Sequence, residues 1–193
     1  ASGFVGRSVC ARLAAAGFAV RALTRERLKS RPLTVIPSLE ICLGSPHDDA
    51  GLALALDGMD AVVNLVGILH QSRRESFEKV HAQLPARLAR ACRAAGVLRL
   101  VHVSALHADP GGPSEYLRSR GRGEAALRSE GEGLAVTILK PSVIFGRDDS
   151  FLNLFAGLVR PLPLLPLAGA GVRFPPGWVE DVAGAVAACL VDS

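Results

Sequence analysis

The residues with the plainest chemistry open the chain: Ser2-Gly3-Phe4-Val5-Gly6-Arg7 sets two glycines three apart at the start of a helical pattern. A loop of that kind lets backbone amides approach a pyrophosphate, and the helix N-terminus adds partial positive charge, so phosphate is its natural ligand. Glycine serves ordinary helix starts as well, so the loop gains its meaning from the alternating strands and helices around it. His81, His102 and His107 carry ring nitrogens suited to acid–base work. His81 falls on an apolar helix stripe and His102 inside a strand pattern, which reads as core or interface histidine rather than catalyst. Cys10, Cys42, Cys92 and Cys189 lie far apart in apolar stretches with no CxxC pair; they read as small buried hydrophobes in a reducing compartment, and no metal site is expected.

The elements that must position these groups follow from periodicity. Val5, Val9, Leu13 and Ala16 have helical spacing with Gly17 as the stop, and Phe18 to Leu23 turns β-like. A strand fits Leu39 to Leu43, followed by the Gly44-Ser45-Pro46 turn and a helix from Ala50 to Leu56 that ends at Gly58. Asp60 leads into a near-continuous apolar run to Val66, as in a strand covered on both faces of a parallel sheet. Glu75 to Ala95 is a long amphipathic stretch in which Pro85 kinks the helix or starts a fresh turn, with Gly96 as its stop. Leu98 to Val103 reads as a strand, Ser114 to Glu130 as a helix weakened by glycine, Leu134 to Leu139 as a strand and Val179 to Val191 as a helix. Alternation with short connections predicts an α/β fold, a doubly wound parallel sheet with helices on both faces. Residues 1–150 form the binding domain, 151–177, rich in proline and glycine, an irregular excursion on the ligand side, and 178–193 a returning helix.

Composition narrows the function. The 193 residues are 49% apolar and 21% charged with a formal charge of +4, which suits one globular domain and excludes a disordered tail or a disulfide-stapled miniprotein. The 22 basic side chains, of which only Lys29, Lys79 and Lys140 are lysine, are scattered rather than gathered into a basic run, so no nucleic-acid partner is expected. No apolar run reaches the roughly 18 residues of a membrane span.

Several segments together resemble the extended and atypical short-chain dehydrogenases/reductases, the NAD-dependent epimerase/dehydratase type. Gly3-Phe4-Val5-Gly6-Arg7 is similar to the end of the family's glycine fingerprint, Asp60 to Leu69 to its fourth strand and following turn, and Leu100 to Leu106 to its fifth strand. Tyr116-Leu117-Arg118-Ser119-Arg120 is similar to its Tyr-x-x-x-Lys segment, and Val179-Glu180-Asp181-Val182-Ala183 to a later helix. Asn64 to Leu69, His81 and Ser104 to Asp109 resemble the branch containing the nucleotide-binding accessory subunit of respiratory complex I.

The resemblance implies a Rossmann-type sheet of order 3-2-1-4-5-6, here without its first strand, so that the residues form part of a longer chain. It implies a dinucleotide held by Ser2, Gly3, Phe4, Val5, Gly6, Arg7, Arg25, Val66, Gly67, Tyr116, Arg120, Pro141 and Ser142. Arg25, where a cation meets a 2′-phosphate, and Arg7 favour NADP(H) over NAD(H); the alternative is that both are solvated surface arginines. The catalytic set it implies is Tyr116 as proton donor with Arg120 and Ser104. Arg120 stands where the family has lysine, and the family's Ser/Thr aligns with Ala105 rather than Ser104. Tyr116 is alternatively an ordinary amphipathic-helix residue, and Glu180 and Asp181 helix caps. Three functions follow: an NAD(P)(H)-binding protein whose cofactor is structural or regulatory, an NADP-dependent reductase or nucleotide-sugar epimerase/dehydratase using Tyr116, or an interaction scaffold that has lost the nucleotide. The implied partners are the dinucleotide and a respiratory-complex or other protein. The implied location is the bacterial cytoplasm, with peripheral attachment at the inner membrane, or the mitochondrial matrix.

Overall fold

The computed structural model describes residues 1–149, 153, 157 and 173–191. Most of the excursion expected over 151–177 therefore lies outside the described residues. In chain order the elements are α1 (Phe4–Ala15), β1 (Val20–Thr24), a 3-10 turn (Leu28–Leu33), β2 (Leu39–Leu43), α2 (Asp49–Leu56) and β3 (Ala61–Asn64). A π-helical segment (Glu78–Gln83) then runs into α3 (Leu84–Ala94), β4 (Arg99–Val103), α4 (Glu115–Glu130), β5 (Ala135–Leu139), the short β6 (Ile144–Phe145) and β7 (Gly177–Trp178), and α5 (Val179–Val191).

Helix ends follow the local chemistry of the sequence. Asp48 and Ser114 each accept a backbone N–H from the third residue ahead, Gly51 at 3.0 Å and Leu117 at 3.2 Å, and so start α2 and α4. Gly17 and Gly96 end α1 and α3 with φ of +89° and +72°, a region open to glycine at no steric cost. The amphipathic stretch expected from Glu75 begins later. Ser72 Oγ accepts the N–H groups of Arg74 and Glu75, and Gln71 Oε1 accepts that of Phe77, so residues 72–76 close into a turn. Pro85 sits in the first turn of α3, next to the join with the π-helical segment, so its ring falls where the hydrogen-bond pattern changes rather than inside a regular α-helical run.

All strand pairs are parallel: β1 with β2, β4 between β3 and β5, and β6 with β7. The register Val63↔Val101↔Thr137 aligns the central strands so that alternate residues face opposite layers. Leu100 and Val62 pack against Leu52, Leu56, Leu88, Cys92 and Leu127 of α2, α3 and α4. Val101, Val103 and Val63 pack against Val9, Leu13, Ala183 and Val186 of α1 and α5. Val20 of β1 joins this second cluster, so α1 and α5 cover strands from the β1-β2 sheet and the β3-β4-β5 sheet alike. The parallel strands with helices on both faces match the doubly wound architecture that the sequence predicts. Among the described residues, β1 and β3 each have one edge with no strand partner.

The glycines that weaken α4 serve its packing. A methyl group at Gly123 would lie 1.9 Å from the His81 carbonyl oxygen, so the α4 backbone rests directly on the π-helical segment. Cys10, Cys42 and Cys92 are buried and Cys189 is half-buried, all four as free thiols.

Candidate functional site

In a parallel α/β sheet, ligands bind beyond the carboxyl ends of the strands. Four features converge there: the glycine loop before α1, the Thr24-Arg25 end of β1, the turn after β3 and the ends of β4 and β5.

The glycine loop is built to leave amides free. Gly3 precedes α1 in an extended conformation (φ −75°, ψ 174°), no side chain caps the helix and no acid lies in its first turn. Space around Gly3 is open, whereas a methyl at Gly6 would lie 2.0 Å from the Ala1 carbonyl oxygen, so the chain crosses its own helix at contact distance. The Thr24 hydroxyl lies 3.5 Å from that of Ser2 and ties the loop to the end of β1. Free N–H groups, a favourable dipole and open space fit a pyrophosphate. Arg7 pairs with Asp148 at 3.0 Å, and Arg25 pairs with Glu75.

The turn after β3 is fixed by buried polar side chains. Asn64 is 3% exposed; its carboxamide oxygen accepts the Val66 N–H at 3.1 Å and its nitrogen lies 3.0 Å from Nδ1 of His102. With the amide nitrogen as donor, His102 carries its proton on Nε2, which has no partner among the described residues. His81 Nε2 accepts the Ile68 N–H at 3.1 Å. Its Nδ1–H donates to Ser119 Oγ at 2.9 Å, and Ser119 donates in turn to the Tyr116 carbonyl at 2.8 Å. Both rings are held neutral. Burial and then the Arg120 charge push the pKa of each down to about 3, with the neighbouring His102 adding to the effect at His81.

Tyr116 and Arg120 share one face of α4, as their spacing predicts. The Tyr116 ring stands edge-on to His81 (5.4 Å) and Phe77 (5.9 Å), and the Arg120 guanidinium carbon lies 5.5 Å from its centre. Arg120 is 8% exposed; Nη1 donates to the Val103 carbonyl at 3.3 Å, and Nε has no partner among the described residues. Gly67 provides its seat, since a methyl there would lie 2.2 Å from Nη2. The structure thus brings Val66, Gly67, Tyr116 and Arg120 together.

Ser104 stands apart from that group in its bonding. Its hydroxyl donates to Glu124 Oε1 at 2.7 Å, and Glu124, 3% exposed, also takes Lys140 Nζ at 3.1 Å on Oε2. Lys140 Nζ donates as well to the Ala108 carbonyl, and Leu106 N–H to the Pro141 carbonyl at 2.8 Å, so this network joins the ends of β4 and β5. Sequence reasoning passed over Asn64, Glu75, Glu124 and Lys140 as site residues. Glu124 had one visible signal: it is the lone acid in the middle of a helix full of arginine and glycine.

On the far side of the glycine loop, Phe4, Arg7, Ser8, Arg147, Asp148, Trp178, Val179 and Glu180 line an open cleft of about 200 Å³. Ser8 Oγ donates to Glu180 at 2.9 Å, so Glu180 ties α5 to α1. Among the described residues no cluster of His, Cys, Asp or Glu is arranged to hold a metal ion, and no helix is long and apolar enough to cross a membrane.

Comparison with known proteins agrees with this geometry. A family model described as NAD(P)H-binding matches residues 1–150. The chain is 32% identical over 199 residues to the mitochondrial NADH dehydrogenase (ubiquinone) 1 alpha subcomplex subunit 9 of Arabidopsis thaliana, covering 100% of this chain and 49% of that protein. It is 32% identical over 193 residues to the ceramide reductase of Caulobacter vibrioides, covering 97% of this chain and 58% of the other. The chain thus spans about half the length of the curated relatives it matches first. Its fold superposes on the UDP-glucuronic acid 4-epimerase of Bacillus cereus, solved with UDP-glucuronic acid and NAD, with a TM-score of 0.81 at 17% identity, covering 100% of this chain and 71% of that one.

Proposed function

The chain belongs to the NAD(P)H-binding family and is related to the complex I alpha subcomplex subunit 9 proteins, and from that premise we propose that it holds its dinucleotide as a structural or regulatory ligand rather than turning it over. The observation that carries the binding site is the uncapped N-terminus of α1 beside open space at Gly3. Ser2 to Arg7 hold the pyrophosphate, Arg25 takes the 2′-phosphate of NADP(H) in preference to NAD(H), and Val66, Gly67, Tyr116, Arg120, Pro141 and Ser142 line the nicotinamide end. Residues 1–150 with the returning helix after 178 constitute the binding domain. A bound nicotinamide supplies hydride chemistry. Two features of this chain support a ligand that is not turned over. The Ser104 hydroxyl is donated to buried Glu124, and Arg120 lies on Gly67 with a planar fork that does not reproduce a compact ammonium. The partner of the whole protein is a respiratory-complex subunit or a similar assembly, in keeping with its relatives' names.

A ligand bound by the native state alone stabilises it by RT ln(1 + [L]/Kd). NADPH is therefore expected to raise the melting temperature of the full-length protein, and nucleotide identified by mass is expected to co-purify with it. Incubation with quinones, ketones or nucleotide sugars leaves the reduced-cofactor absorbance unchanged. Consumption of NADPH with any of them favours a second reading, a reductase in which Tyr116 donates the proton. The likeness to a ceramide reductase supports that reading.

A further inference from the structure

Both cations offered to a 2′-phosphate are already paired with carboxylates. Arg7 pairs with Asp148 of the turn after β6, and Arg25 with Glu75 of the turn after β3. The second pair joins residues fifty apart in sequence at the end of β1, beside the glycine loop. The Glu75 backbone is fixed there: Ser72 N–H donates to its carbonyl at 2.8 Å, and its own N–H donates to Ser72 Oγ at 3.1 Å. Burial is the main cause of the lowered pKa of His47, in the turn after β2, which also feels the charges of Lys79, Glu75, Arg25 and Arg87.

In dinucleotide-binding sheets an acid near the end of the second strand accepts the ribose hydroxyls of NAD, whereas an arginine there accommodates the 2′-phosphate of NADP. This chain brings both groups to that place, the acid from a different loop. We propose that Glu75 is a second specificity-determining residue at the adenosine ribose, where it competes with a 2′-phosphate for Arg25 and so narrows the preference for NADP(H) over NAD(H) that Arg25 confers. The inference rests on the dinucleotide reading above and adds the group that tunes it.

The competition follows from charge. A phosphate monoester carries nearly two negative charges at neutral pH and pairs strongly with a guanidinium, but to reach Arg25 it must displace Glu75 or lie beside a like charge. The hydroxyl of NAD(H) meets no such repulsion and finds an acceptor in Glu75. The Glu75 side chain is 24% exposed and that of Arg25 55%, so the pair can exchange partners without disturbing the core.

The test measures NADPH and NADH dissociation constants for the full-length protein, with melting temperatures as a check on folding, in wild type, Glu75→Gln, Glu75→Asp and Arg25→Gln with and without Glu75→Gln. Glu75→Gln is expected to tighten NADPH relative to NADH by about three- to fivefold, the upper part of the range for a half-exposed pair. That gain shrinks in raised salt and vanishes when Arg25→Gln is added. Glu75→Asp, with a shorter reach, falls between. An NADPH:NADH ratio within about twofold of wild type in both Glu75 variants overturns the assignment while leaving dinucleotide binding standing. Binding of neither dinucleotide by any form overturns both.

Discussion

Arg120 lays its guanidinium against the backbone of Gly67, filling the place a side chain would take. A buried cation with one backbone acceptor and an orphan Nε is sensitive to displacement. Gly67→Ala is expected to destabilise the protein by about 1–3 kcal/mol, the usual cost of overpacking, as read by chemical denaturation. Adding Arg120→Lys, whose slimmer ammonium leaves room for the methyl, recovers part of that loss.

Ser104→Ala separates a structural from a catalytic serine. It removes a donor to the buried Glu124 carboxylate, so stability is expected to fall by about 1–3 kcal/mol while NADPH affinity stays within about twofold. If the full-length protein is found to oxidise NADPH, unaltered stability combined with a loss of that activity reverses the assignment.

The two buried histidines give stability a pH dependence of known sign. Each is held near a pKa of about 3 in the fold, below its ordinary 6.5, so below that value the unfolded chain takes up protons that the native state refuses. Stability is therefore expected to be unaffected by these groups above about pH 6.5 and to fall as pH drops from there towards 3, by about 1.4 kcal/mol per unit for each ring once it is well below 6.5. Denaturant melts between pH 7 and 5 check this, and His102→Gln halves the slope.

Tyr116→Phe keeps the ring contacts with Phe77, His81 and Arg120 and removes only the hydroxyl. Stability and NADPH affinity are both expected to stay close to wild type. Where the wild type is found to oxidise NADPH, loss of that activity in this variant identifies the hydroxyl as a proton donor and favours the reductase reading.

The fold was legible where a local rule decides it. Gly17 and Gly96 stop their helices because the left-handed region is open to glycine, and the unbroken apolar run through Ala61-Val62-Val63 marks a strand covered on both faces. The π-helical segment before α3 was not legible as such: Pro85 marks a break in the pattern, but the seat of the His81 carbonyl on Gly123 lies in another part of the chain. The site was half legible for the same reason. The glycine loop and the shared face of Tyr116 and Arg120 follow from spacing, but the Asn64–His102, Ser104–Glu124 and Arg25–Glu75 partnerships span 20 to 50 residues. An arginine in an arginine-rich chain reads as surface, and nothing near Arg120 in sequence announces that it is buried.

The four thiols lie at different depths, and burial pushes the pKa of Cys92 up to about 12 and that of Cys10 above its ordinary value. Alkylating reagents attack thiolates, so in the folded chain Cys189 should be labelled first and Cys92 only once α3 lifts from the sheet. The protein carries its own set of clocks for local opening, each readable by mass spectrometry with no added probe.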